Sequence, residues 1–354
     1  MDAETETGGS PMREKRIGFA LVGCGRISRF HVEALRSAEQ EATIAAVCDI
    51  VPERARATAG MTEGARAYTD YEAMLRDGGF DCVSICTPSG LHPRHGILAA
   101  EHGFHVLTEK PAGIDVLSVD RMIETCSRLR RRLFVMLQNR LNPTVLLMRQ
   151  ALEDGRFGRL FMGQANVFWT RPQAYYDEAP WRGTLEMDGG AFMNQACHYV
   201  DLMQWMMGDP EQVTAITGTL GRNIEAEDTG SAVIRFRSGA IGSINVTMLV
   251  HPANLEGSFT LMGETGTARL GGVALNTIAD WKFDRELPSD MPAASAGYAP
   301  PTVYGHGHAG FYRQVIAGLR GGECTIPDGL EGRRSVRLIQ AIYESARTGM
   351  TVRL

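Results

Sequence analysis

The sequence predicts a two-domain α/β protein: a parallel sheet with helices on both faces, then an α/β domain built on a large, mainly antiparallel sheet. Three observations carry this. The first third of the chain alternates short apolar runs with helical patterns, the rhythm of strand–helix–strand crossovers. After about residue 140 strand patterns dominate, and short turns such as RSGA (237–240) and GETG (263–266) join neighbours as hairpins do. Finally, 354 residues exceed what one hydrophobic core usually serves.

Taken in order, IGFALVGCG (17–25) reads as a strand ending in glycines, and ISRFHVEALRSA (27–38) has helical spacing of its apolar residues. TIAAVCDI (43–50) is a strand, and VPERARATAG (51–60) is a helix with a glycine stop. FDCVSICTP (80–88) is a strand, PRHGILAAEHG (93–103) a helix, and HVLTEK (105–110) a strand. A helix over 115–131 and a strand in LFVMLQNR (133–140) complete this half. Next come a helix, VLLMRQALEDG (145–155), and strands in LFMGQANVFWT (160–170), QVTAITGTLG (212–221), SAVIRFR (231–237), AIGSINVTMLV (240–250) and GSFTLMGETGTARLGG (257–272). Helices over 309–322 and 329–347 close the chain. The Pro/Ala/Ser-rich stretch 285–304 reads as a long surface loop. The expected division is a polar, disordered tail (1–15), a dinucleotide-binding domain (16–138) and a substrate-binding and oligomerisation domain (139–354).

Composition narrows the function. A net charge of −5 argues against nucleic acid as a general partner, because phosphate backbones demand a basic face. There is neither a secretory signal nor an apolar run long enough to span a membrane, so the expected location is the cytoplasm. The seven cysteines include no CxxC pair, and Cys48, Cys82 and Cys86 sit inside apolar strands. They read as small core residues, and no metal site is expected.

The glycine turn points to a cofactor. Gly23 and Gly25 fall between the first strand and a helix, where free N–H groups favour a pyrophosphate. Ser28 replaces the third glycine of G-x-G-x-x-G and is small enough to keep helix and strand close. Asp49 ends the second strand, where an acid accepts hydrogen bonds from an adenosine ribose and repels a 2′-phosphate, so NAD is expected over NADP. The plainer alternative is that Asp49 caps the helix that follows. Strand carboxyl ends are where ligands bind in such sheets, and Thr87-Pro88 and Glu109-Lys110-Pro111 share that edge. Lys110 is therefore delivered to the cleft.

The stretch MDGGAFMNQACHYVDLMQWMMG (187–208) sets Asn194 and His198 on one helix face, with Asp201 a turn further on. A helical histidine among apolar neighbours is often only a packed core residue. However, EKP (109–111), the glycine turn and GG-x(7)-H-x-x-D together resemble the Gfo/Idh/MocA oxidoreductase family. The resemblance covers nearly the whole chain and implies a Rossmann domain, a C-terminal α/β domain and assembly as a homotetramer or dimer. It implies that Lys110 contacts substrate and that His198 is the catalytic histidine. Many sugar and inositol dehydrogenases carry Asp where this chain has Asn194, and an amide neither takes a proton nor holds a charge. Together with QNRLNPT (138–144), FWTRP (168–172) and WRG (181–183), this is closer to the branch that oxidises UDP-N-acetylglucosaminuronate at C3 for bacterial O-antigen precursors.

The substrate contacts so implied are Asn139, Arg140, Arg171 and Asn194, whose arginines suit an anionic sugar nucleotide unless they are ordinary surface residues. The implied cofactor contacts are Gly23, Gly25, Arg26, Ile27, Asp49, Thr87, Pro88, His92, Glu109, Lys110, Gln138, Trp181 and Arg182. Tyr175 and Tyr176 either stack on a base or sugar or pack in the core. Hydride leaves a sugar carbon for the nicotinamide; His198 takes the hydroxyl proton, and Lys110 steadies the alkoxide. Two alternatives stand beside this reading. One is a dehydrogenase of a free sugar or inositol. The other is a non-catalytic regulator of the same fold, which should lack Lys110 or His198.

Overall fold

Strand β1 (Ile17–Val22) is apolar throughout and almost wholly buried, as a strand covered on both faces must be. It lies at the centre of the first sheet in this structure, a computed structural model that describes residues 15–287, 290, 297 and 307–354. Apart from residue 15, the expected tail lies outside the described residues, as does most of the loop expected at 285–304.

The remaining strands of this sheet are β2 (Ala42–Cys48), β3 (Arg66–Tyr68), β4 (Cys82–Ile85), β5 (His105–Glu109) and β6 (Leu133–Met136). Their order, β3-β2-β1-β4-β5-β6, makes a parallel doubly wound sheet whose topological switch point lies between β1 and β4. Helices α1 (Ser28–Arg36), α2 (Pro52–Ala59), α3 (Tyr71–Asp77), α4 (His92–Glu101) and α5 (Val116–Arg128) connect them. Register decides what meets at the carboxyl edge. Val22 pairs with Cys48 on one side and Ile85 on the other, and Ile85 pairs with Thr108. The residues that follow these four therefore emerge side by side: Gly23, Asp49, Cys86-Thr87 and Glu109-Lys110.

After α6 (Pro143–Glu153) comes β7 (Leu160–Phe168), and then α7 (Gln173–Asp177), α8 (Gly190–Met193) and α9 (Cys197–Met207). The second sheet adds β8 (Pro210–Gly218), β9 (Thr229–Phe236), β10 (Ile241–Thr247), β11 (Glu256–Gly263), β12 (Gly266–Gly271) and β13 (Thr277–Phe283). Helices α10 (Gly307–Leu319) and α11 (Gly329–Thr348) and a short β14 (Val352–Arg353) follow. The eight strands are ordered β13-β12-β11-β7-β10-β9-β8-β14 and run antiparallel except for the β7–β10 pair. Along β9, Ala232, Ile234 and Phe236 are buried while Ser231, Val233 and Arg235 are exposed, so one face is core and the other is open. Helix α11 starts at Asp328, whose carboxylate accepts the Glu331 N–H, and stops at Gly349 with φ of 68°.

Packing does not follow the boundary expected at residue 139. Phe311, Tyr312, Val315 and Ile316 of α10 join Phe19, Leu21 and Phe134 in the core on one face of the parallel sheet. The chain crosses back because that face needs a cover that the first 138 residues leave incomplete. Six of the seven cysteines are buried and all are free thiols, with Cys48 pushed up to about 12 chiefly by burial. Among the described residues, no helix is long and apolar enough to cross a membrane.

Candidate active site

The glycine turn is shaped first by its own neighbours. Gly23 has φ of 92°, and a Cβ there would lie 2.6 Å from the Cys86 carbonyl, so the turn presses against the end of β4. Gly25 differs: a Cβ would meet nothing within 4 Å, leaving open space before α1, whose N-cap is Ile27. Ser28 is buried and its hydroxyl donates to the Gly25 carbonyl at 2.8 Å, tying helix to turn. Asp49 accepts the Cys24 N–H through Oδ2 and the Val51 N–H through Oδ1, each at 2.8 Å. The acid thus joins the turn to the start of α2, and each oxygen keeps a lone pair for a ribose hydroxyl.

At the end of β5, Glu109 is buried beneath Lys110. Its Oε2 accepts the Lys110 N–H at 3.1 Å, and His31 Nε2 lies 2.9 Å from Oε1. Burial works to raise its pKa, but the imidazoles of His308 and His31 outweigh this and hold the carboxyl well below its usual range. The ligand atoms of His31, Glu109 and His308 lie within 4.8 Å of one another, but His31 is engaged on both sides, by Glu109 and by the Tyr312 hydroxyl. His92 sits between Pro111 O (2.7 Å from Nδ1) and Thr87 O (2.8 Å from Nε2), bracing the ends of β4 and β5. Burial lowers its pKa, so the neutral ring donates to one of the two carbonyls. Pro88 opens the 3-10 turn Ser89–Leu91 between β4 and α4.

The second domain supplies the opposite wall. Gly189 and Gly190 have φ of 83° and 93°, and a Cβ on Gly190 would fall 1.9 Å from Glu227 Oε2. Only glycines let α8 begin there. Asn194 follows α8 and accepts two hydrogen bonds from Lys110 Nζ, at its main-chain oxygen (3.0 Å) and at Oδ1 (3.2 Å). His198, in the first turn of α9, is buried, and neither ring nitrogen has a partner among the described residues. Burial first and the Lys110 charge second push its pKa down to about 3, so the imidazole is neutral.

Lys110, Asn194 and His198 line a cavity of about 640 Å³, a size that suits a small organic ligand. Asn139 also lines it, with a buried Oδ1 that has no partner among the described residues. Arg26, Arg29, Arg171 and Tyr175 line it as well. Arg171 donates to the Thr170 carbonyl at 2.7 Å and lies over the Trp169 and Tyr175 rings. Arg26 is bound to both oxygens of Glu178, on the segment after α7.

Several expected contacts do not line this cavity. Arg140 does not face the cavity: its guanidinium is held by Asp201 at 2.6 and 2.8 Å and by Glu331, in the core between the domains. Three of its five N–H donors are taken by these two carboxylates, which hold the guanidinium away from the cavity lining. Trp181 and Arg182 do not line the cavity either; Arg182 donates to the Tyr175 carbonyl at 2.8 Å and stacks on the Tyr175 ring. Gln138 is buried, its carbonyl oxygen 2.2 Å from where a Cβ on Gly307 would stand. Tyr176 is core, whereas Tyr175 is at the cavity. Sequence reasoning missed Arg29, Gln195 and Asn254, which line the cavity. Arg29 had a signal, as a cation in the first turn after the glycines. Asn254 had none, since a long-range fold brings its loop there.

The family description "Oxidoreductase family, NAD-binding Rossmann fold" matches residues 17–137, and "GFO/IDH/MocA C-terminal domain" matches residues 145–269. The WlbA dehydrogenase from Bordetella pertussis, solved with NADH and UDP-GlcNAcA, is 50% identical with a TM-score of 0.94, over 97% of this chain and 99% of that one. This chain belongs to the GFO/IDH/MocA oxidoreductase family. The WlbA dehydrogenase from Chromobacterium violaceum, in complex with the same two ligands, is 47% identical with a TM-score of 0.92, over 97% of each chain. Among curated proteins, the D-apiose dehydrogenase of Paraburkholderia graminis is 29% identical over 96% of this chain and 90% of its own length.

As a GFO/IDH/MocA member, the chain is an NAD-dependent oxidoreductase. Its residues fit that cofactor. The open space before Gly25 suits a pyrophosphate at the α1 N-terminus, and Asp49 suits a ribose diol. The Asn139 oxygen and His198 nitrogens, without hydrogen-bond partners among the described residues, leave polar atoms for ligand in the cavity that Lys110 also lines.

Proposed function

We propose that this oxidoreductase converts the C3 hydroxyl of UDP-N-acetylglucosaminuronate to a ketone, in the synthesis of bacterial O-antigen or related polysaccharide precursors. The observation that carries this reading is a cavity lined by Lys110 and His198 together with Arg29 and Arg171. An anionic nucleotide sugar needs both a proton-handling pair and cations for its phosphates and carboxylate. The ligands bound in the two structures at 47–50% identity support the same substrate class.

When bound, the nicotinamide supplies the hydride acceptor. Lys110 donates to the reacting hydroxyl oxygen and stabilises the negative charge that develops on it. His198 enters as a neutral ring with no partner on either nitrogen among the described residues, so one nitrogen is available to take the hydroxyl proton. Asn194 presents an amide where a carboxylate would repel the sugar acid.

The test is NADH formation by the purified protein on UDP-N-acetylglucosaminuronate, UDP-N-acetylglucosamine, glucose and myo-inositol. It is run with and without 2-oxoglutarate and checked by product mass, because a tightly held cofactor hides turnover. The expected result is oxidation of the uronate and little or none of the others. Lys110→Ala and His198→Ala should each lose ~10²–10⁴-fold in kcat with NAD affinity nearly intact. Oxidation of a neutral free sugar with none of the uronate would replace this reading with a free-sugar dehydrogenase, the activity named for the D-apiose relative.

A further inference from the structure

We infer that Asp188 is a positioning residue for Lys110, acting through the side-chain amide of Asn194. The inference deepens the proposed function and rests on Lys110 handling the substrate hydroxyl.

Asn194 stands between two unlike groups. On one side Lys110 Nζ, which only donates, lies 3.2 Å from Oδ1. On the other, the Asp188 carboxylate, which only accepts, takes the hydrogen bond from Asn194 Nδ2. An amide has one accepting and one donating end, so only one of its two orientations satisfies both neighbours. Without the carboxylate, nothing on that side selects the orientation that turns oxygen toward the ammonium.

Asp188 is itself fixed. It is 1% exposed, its Oδ2 accepts the Gly183 N–H at 2.8 Å, and its own N–H donates to Thr184 O at 3.1 Å. The charged or titratable groups that act on it are Lys110, Arg182, the buried Glu227 and the hydroxyls of Tyr176 and Tyr343. The order ammonium–amide–carboxylate gives Lys110 a counter-charge without placing that charge on the cavity wall. A substrate carboxylate then meets an amide, and the balancing anion lies one side chain further away.

This predicts a reciprocal exchange. D188N leaves an amide facing an amide, so Asn194 loses its fixed orientation; kcat should fall ~10²-fold, the cost of misplacing a reacting group by about 1 Å, while NAD affinity is unchanged. N194D alone puts two carboxylates in contact and should also be slow. In D188N/N194D one amide and one carboxylate occupy the same space in reversed order. Lys110 again has a fixed acceptor, so kcat should recover to within a few-fold of wild type. The carboxylate now faces the cavity, so KM for the uronate should rise ~10-fold or more. A residue that only supports the fold would give losses that add in the double variant, with no split between kcat and KM. If D188N fails to fold in thermal melts, the double variant carries the test. D188N as fast as wild type, or a double variant no faster than the slower single, would overturn the inference. A wild type inactive on the uronate tells instead against the substrate reading, and the kcat comparison is then made on whichever sugar it oxidises.

Discussion

Arg140 and Asp201 form a buried, two-pronged ion pair, Nε to Oδ2 at 2.8 Å and Nη2 to Oδ1 at 2.6 Å. It joins the 3-10 turn after β6 to the helix that carries His198, and Glu331 of α11 completes the grip. A buried charge left without its partner typically costs about 3–5 kcal/mol. Arg140→Ala and Asp201→Ala should each lose stability of that order in denaturant titrations. The double variant should lose clearly less than the sum, because each single leaves the other charge stranded. Additive losses would show that the two residues act separately.

This pair also marks how far the sequence is legible. Alternating strand and helix patterns exposed the parallel sheet, because fully buried strands are apolar along their length. EKP and the glycine turn located their edge, since strand ends in such a sheet converge. Arg140 misled because a motif gives residue type and spacing, not facing direction; it turns inward to Asp201. The short β3 and β14 carry too few residues to show a period. Asn254 and α10 reach their places by long-range packing that no local pattern encodes.

Two buried acid–base groups should shape stability against pH in opposite directions. His198 has its pKa lowered from 6.5 to about 3, mainly by burial. Its contribution is fully present above 6.5 and is lost as pH falls toward 3, by up to roughly 4–5 kcal/mol. Glu227 is raised from 4.5 to about 7, again mainly by burial. Its contribution is present below 4.5 and is lost as pH rises through 7, by up to roughly 3 kcal/mol. Melting curves from pH 3 to 9 should therefore rise up to about pH 4.5, stay level to about 6.5 where the two slopes cancel, and fall toward 7. Glu227→Gln should flatten the alkaline side and His198→Gln the acid side. An unchanged profile in either variant would remove that group from the account.

Asp49 has two duties that substitution separates. It holds the Cys24 and Val51 N–H groups, so Asp49→Ala should weaken binding of NAD and NADP alike. It also favours a ribose diol over a 2′-phosphate, so the preference for NAD over NADP should narrow by about tenfold or more, since hydrogen bonds to a charged group are worth about 1.5–3 kcal/mol. Calorimetric titration of both cofactors against wild type and variant reads the two effects. Equal loss for both cofactors, with the ratio kept, would leave Asp49 only its role in anchoring the loop.

The open face of the second sheet should be covered by another copy of the chain, giving a homotetramer. Ile216 on β8, Val233 on β9 and Ile241 on β10 are 79%, 52% and 43% exposed and lie on three adjacent strands. Beside them a line of polar contacts crosses the face: Ser231 donates to Asn245 at 2.6 Å, Asn245 to Asn166 at 3.0 Å, and Asn166 to Glu256 at 3.1 Å. With its side chains already tied to one another, this surface is flat and pre-ordered, and its flanking apolar residues gain by leaving water. Light scattering at micromolar concentration should give about four times the chain mass, the number set by the family resemblance and the association by the face itself. Ile216→Arg with Val233→Arg places like charges on both sides of a symmetric contact and should shift the protein to smaller species while each chain stays folded. A wild type that is monomeric at that concentration would refute the assembly, and a double variant of unchanged mass would move the contact to another face.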